Sequence, residues 1–91
     1  MDFRQLRHTL ANKLGASVDV SGDHIFYYLN IQESDHKIGK ISHSARGSDN
    51  IADYVVSDTA KRLKLKKNEL VQLVDCLISK DDHLRLWQER S

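Results

Sequence analysis

The chain has one cysteine, no proline and four glycines among its 91 residues. A lone thiol, Cys76, has no partner for an intramolecular disulfide, and without a Cys-x-x-Cys pair there is no structural zinc signature. That thiol usage fits a reducing cytosol, which is the expected location. The first ten residues, MDFRQLRHTL, contain no apolar h-region, and no run approaches the ~20 apolar residues of a membrane span. A soluble, non-exported protein with no membrane association is expected. Charge of one sign is also scarce. With 14 Lys and Arg against 13 Asp and Glu the formal charge is +1, so no strong whole-molecule attraction draws it to a polyanion, and any nucleic-acid surface must be a local patch. A chain this short buries only ~60 to 65% of its unfolded surface, enough for one modest core and not for a deep, multilayered active site.

What is present reads as one domain over residues 1–91, with a core over 1–78 and a C-terminal helical extension over 79–91. Asp2 with Gln5 forms a capping-box pattern, and Phe3, Leu6, Leu10 and Leu14 share one helical face until Gly15 stops it. From Ala16 the period changes to two. Ala16, Val18 and Val20 alternate with Ser17 and Asp19, Ser21-Gly22-Asp23 marks a hairpin reversal, and the next strand puts Ile25, Tyr27, Leu29 and Ile31 on one face. Its other face holds His24, Phe26, Tyr28 and Asn30. "QESDHK" reads as the following turn, and a third strand spans about Lys37 to His43. Ile38 and Ile41 have opposite parity there, with Gly39 between them, which predicts a bulge.

A polar loop, residues 44–50, leads to a helix starting around Ser48 to Asn50 and carrying Ile51, Val55, Val56, Ala60 and Leu63 on one stripe. Asn68 is placed to cap the next helix, where Leu70, Leu73, Val74 and Leu77 repeat at helical spacing to about Cys76 or Ile78. Ser79 with Asp82 repeats the capping-box pattern before a last helix seated by Leu84 and Trp87. The fold class is therefore α+β, a three-stranded antiparallel sheet with helices in the order α-β-β-β-α-α-α.

Chemistry-bearing residues are few. His24 opens the central strand directly after a turn, and the residues alone leave it open between a strand residue and a proton-transfer group, since histidine ordinarily titrates near pH ~6.5. His43, at the end of the third strand, is a weaker second member of such a site. His8, His36 and His83 have no metal-ligand spacing and read as solvated, and Cys76 reads as a small buried residue of a helix stripe. Cations that suit phosphate contacts are Arg4, Arg7 and Lys13 on the first helix, Arg46 in the loop, and Lys61, Arg62, Lys64, Lys66 and Lys67 in "KRLKLKK". No cofactor or metal is implied.

The helix ending "KLGA", the alternating strand, Gly22-Asp23-His24, the aromatic strand after it and a third strand ending in Ile41-Ser42-His43 together resemble the small HicA-type toxins. The likeness spans roughly Phe3 to Val74. Asp23 stands where that family usually has serine, and Ser42 where it often has proline. The resemblance implies a double-stranded RNA-binding-domain-like fold, metal-independent cleavage of mRNA with His24 as the catalytic residue, and a HicB-type antitoxin as partner. A different class stays open beside it. "SDTAKRLKLKKNELVQLVDC" has the outline of a helix-turn-helix, which would make a non-catalytic DNA-binding or protein-interaction module. Its second helix offers few polar side chains for reading bases and would suit a homodimer contact.

Overall fold

A computed structural model describes residues 1–42 and 50–90 of the chain. The first helix, α1 (Phe3–His8), starts on the expected capping box: the Gln5 amide donates to the Asp2 carboxylate at 2.8 Å and the Asp2 amide to the Gln5 side chain at 2.9 Å. It continues as a π-helical segment over Thr9–Lys13. The Thr9 hydroxyl donates to the Gln5 carbonyl at 2.9 Å, a local competitor for the backbone ladder that favours such widening. Gly15, at φ +74°, makes the left-handed stop, and Leu6, Leu10 and Leu14 are fully buried along this helical run.

The sheet is antiparallel in the order β1 (Ser17–Ser21), β2 (His24–Ile31), β3 (Ser34–Ser42). Gly22 at φ +60° closes the first hairpin, and Ser21 pairs with His24 across the two-residue turn. The second hairpin is tighter than "QESDHK" suggests. Its turn is Gln32-Glu33 alone, at φ 53° and 66°, and β3 begins at Ser34. Polar Ser34 and Asp35 look like loop, yet they extend β3 by pairing with Ile31 and Asn30. Two side-chain-bearing residues in the left-handed region carry backbone strain that Asn-Gly would not. Replacing Gln32-Glu33 by Asn-Gly is expected to stabilise the fold by ~1 kcal/mol, a rise of ~4–8 °C in thermal midpoint read by circular dichroism.

The predicted bulge is present. Tyr27 pairs with Gly39 and Tyr28 with Lys37, leaving Ile38 as the extra residue. It lets both Ile38 and Ile41 point into the core, at 0% and 2% exposure. Gly39 is where the π-helical segment meets the sheet, since a Cβ there would lie 3.0 Å from the Leu10 side chain. Tyr27, Leu29 and Ile31 complete this apolar face as expected.

Three helices follow: α2 (Asp53–Arg62), α3 (Lys67–Val74) and α4 (Lys80–Glu89). The order is thus α-β-β-β-α-α-α. The loop read at 44–50 lies outside the described residues except for Asn50, and α2 starts later than expected, after Ala52. Asn50 forms a bridge with Asp2, and the Ile51 amide donates to the Met1 carbonyl at 3.1 Å, so the entries to α1 and α2 are tied together. The cap of α3 is Lys66, not Asn68, its amide donating to Glu69 at 2.7 Å. Both α2 and α3 end in left-handed residues that are not glycine, Lys64 at φ 59° and Cys76 at φ 65°. In each, the amide two residues past the cap returns to a carbonyl of the last turn, Leu65 to Ala60 and Leu77 to Gln72. Cys76 is consequently exposed instead of buried, and Leu77 is 74% exposed.

Ser79 and Asp82 form the anticipated capping box of α4. The helix is seated by Trp87 and His83, with Leu84 left exposed. His83 is not solvated: it is 2% exposed, its Nε2 lies 3.1 Å from the Leu63 carbonyl, and burial holds its pKa below the ordinary value. His36 is likewise no turn residue, because it lies on β3 and packs edge-on to Trp87 at 4.8 Å. Arg90 grips Glu69 with two hydrogen bonds of 2.8 and 2.9 Å, and its guanidinium, with the Lys66 amide, lowers the Glu69 pKa to about 2. No helix among the described residues is long and apolar enough to cross a membrane.

Candidate nucleic-acid interface

Strand alternation decides which side chains leave the core. With Ile25, Tyr27, Leu29 and Ile31 turned to the helices, His24, Phe26 and Tyr28 line up on the opposite face of β2, each only partly exposed. Register then brings β3 cations beside them: Lys40 pairs with Phe26 and Lys37 with Tyr28. The Lys37 ammonium sits 4.5 Å above the Phe26 ring, and the His24 ring lies 6.1 Å from it. Three rings and two ammonium groups therefore share one sheet face. Aromatic and cationic groups side by side offer stacking for bases and charge for phosphates.

His24 ends this row at the mouth of an open groove of about 450 Å³ lined by Phe3, His24, Lys40, Ile41, Tyr54, Val55 and Asp58. Four elements meet there because the entries of α1 and α2 are tied together next to the start of β2 and the end of β3. Lys40 supplies positive charge, Tyr54 is 78% exposed, and the Asp58 carboxylate is held by Arg62 at 2.8 Å. His24 thus lines an open groove with a cation, Lys40, and a phenol, Tyr54, around it. Among the described residues no carboxylate is hydrogen-bonded to its ring, and Asp23 is exposed in the turn.

The predicted site residues fall into three groups. His43 and Arg46 lie outside the described residues. Lys13 is taken by the fold: its ammonium donates to the Leu73 carbonyl and to the Cys76 sulfur, joining the first helix to the end of α3. Arg62 pairs with Asp58, Lys67 with Asp53 at 3.1 Å, and the Lys64 ammonium lies 4.5 Å over the Trp87 ring. Arg7 lies beside Tyr27, whose pKa burial raises and the guanidinium partly lowers. Arg4, Lys61 and Lys66 are exposed, but on separate elements. Most of "KRLKLKK" therefore fastens the α2–α3 turn and α4 instead of forming one basic patch.

No local pattern singles out Lys37 and Lys40, because their alternation with Ile38 and Ile41 is broken by the bulge. Asp58 and Tyr54 carry no local signal at all, since only tertiary packing brings α2 to His24. Among the described residues no group of three or more His, Cys, Asp or Glu side chains is placed to hold a metal ion. No protein-family model, curated protein or solved structure matches this chain.

Proposed function

We propose that the protein binds single-stranded segments of RNA across the open sheet face and cleaves them at His24. The observation that carries this reading is the row His24, Phe26 and Tyr28 flanked by Lys37 and Lys40, ending in the groove. Bases stack on the two rings, phosphates follow the two lysines, and the next phosphodiester reaches the imidazole. The neutral imidazole takes the proton of a ribose 2′-hydroxyl as that oxygen attacks the neighbouring phosphorus. The P–O5′ bond breaks, a 2′,3′-cyclic phosphate forms, and the departing 5′-oxygen receives a proton from the imidazolium. Lys40 offsets the charge that builds on the phosphoryl oxygens.

The resemblance to HicA-type toxins agrees with this reading in placing the catalytic histidine directly after the β1–β2 turn. It adds a HicB-type antitoxin as the partner that would cover the site. The double-stranded RNA-binding-type architecture is part of the same proposal and is supported by the order of one helix, three antiparallel strands and further helices.

Phe26→Ala is expected to weaken binding of a single-stranded RNA oligonucleotide about tenfold or more, the scale of one lost stacking platform, while Lys61→Ala leaves it nearly unchanged. Fluorescence anisotropy at two salt concentrations measures both. Binding that ignores Phe26 but follows Lys61 and Lys66 would move the interface to the α2–α3 turn and favour a helix-turn-helix module. No binding to RNA or DNA would leave a protein-interaction role.

A further inference from the structure

β1 is an edge strand, and all five of its residues are exposed. Its sequence, Ser17-Val18-Asp19-Val20-Ser21, reads the same in both directions. For antiparallel pairing that is self-complementarity: two copies aligned about Asp19 set Ser17 opposite Ser21, and Val18 opposite Val20, of the other copy. The backbone parity agrees. Because Ser21 and His24 close a two-residue hairpin, they form a hydrogen-bonded pair, so Ser17, Asp19 and Ser21 aim their amides and carbonyls at β2. Val18 and Val20 then aim theirs at the free edge, where this register needs them.

The side chains point the same way. Val18 and Val20 are 51% and 60% exposed on the face shared with Tyr27 and Ile25. Edge strands are ordinarily blunted by lysine, proline or a bulge, none of which occurs in β1. Pairing would cover all four valines in one strip. Asp19 is the exception, since at the two-fold axis it meets its own copy in a non-hydrogen-bonded pair, where side chains approach most closely and like charges repel.

We propose that the β1 edge is a homodimerisation surface, joining two copies of this chain antiparallel about Asp19 into one six-stranded sheet, with Asp19 keeping the association weak. Two five-residue strands bury less area than stable dimers need, so the dimer is reversible and concentration-dependent. In sedimentation velocity on the full chain, Asp19→Asn is expected to tighten the dimer about tenfold, by removing two opposed carboxylates. Adding Val18→Lys and Val20→Lys to that variant returns it to monomer with unchanged circular dichroism, both sites being exposed in the single chain. In a Cys76→Ser background, Asp19→Cys forms an interchain disulfide faster than Ser17→Cys, because residue 17 faces residue 21 of the other copy. The proposal is overturned by an Asp19→Asn protein no more associated than the parent, by a dimer that survives the two lysines, or by equal cross-linking rates.

Discussion

His24→Ala is expected to lower RNA cleavage in chelating buffer by about 10² to 10⁴-fold, the contribution of one positioned general acid-base group. The substitution is expected to leave the fold in place: His24 is partly exposed, it pairs with Ser21 and Ser42 through the backbone, and its ring lies 6.1 Å from that of Phe26. Unfolding free energy therefore changes by less than about 1 kcal/mol. Binding of single-stranded RNA is expected to fall only a few-fold, since Phe26, Tyr28, Lys37 and Lys40 remain. This separation of cleavage from affinity is what a chemical role predicts. A purely structural His24 would move stability and binding together, and cleavage that survives the substitution removes the residue from the mechanism. His24→Gln, which keeps hydrogen-bonding capacity but cannot take the proton, is expected to be as inactive as the alanine variant.

Trp87→Ala is expected to destabilise the protein by ~3–5 kcal/mol, through lost transfer energy and the cavity left behind. In a domain of this size that is a third or more of the whole stability, and the thermal midpoint falls by on the order of 20 °C. The indole is 5% exposed, with His36 edge-on at 4.8 Å, His83 at 6.1 Å and the Lys64 ammonium above it at 4.5 Å. Losing it therefore loosens α4, β3 and the α2–α3 turn at once. Leu84→Ala, on the same helix but 39% exposed, costs less than ~1 kcal/mol and serves as the control. Equal effects of the two substitutions in denaturant titrations would mean that α4 is not seated by its tryptophan.

The parts of the fold that were legible are those written in short-range chemistry. The capping boxes Asp2–Gln5 and Ser79–Asp82 involve partners three residues apart, and Gly15 and Gly22 occupy positive φ where a side chain is costly. Even the bulge at Ile38 announced itself, because two isoleucines of opposite parity cannot both reach a core without one. The stops of α2 and α3 were hidden for the converse reason. Lys64 and Cys76 take left-handed positions that glycine usually fills, and the buried Leu65 that rewards the first of these turns finds its place only in the assembled core.

The candidate site divides along the same line. Strand parity alone separated His24, Phe26 and Tyr28 from the core face of β2, and the residue type gave His24 its chemistry. Cation counting misled, since Lys13, Arg62, Lys64 and Lys67 are contiguous or periodic in sequence yet each is spent on a different structural contact. Lys37 and Lys40 lie beside the aromatic row because of β2–β3 register, and Tyr54 and Asp58 reach the groove because α2 packs against β3. The sequence by itself determined the alternation of faces and the capping boxes that start α1 and α4, all of which depend on neighbours a few residues apart. Tertiary structure alone decided which charges remain available and what surrounds His24, because those depend on contacts between residues far apart in the chain, where no local pattern reaches.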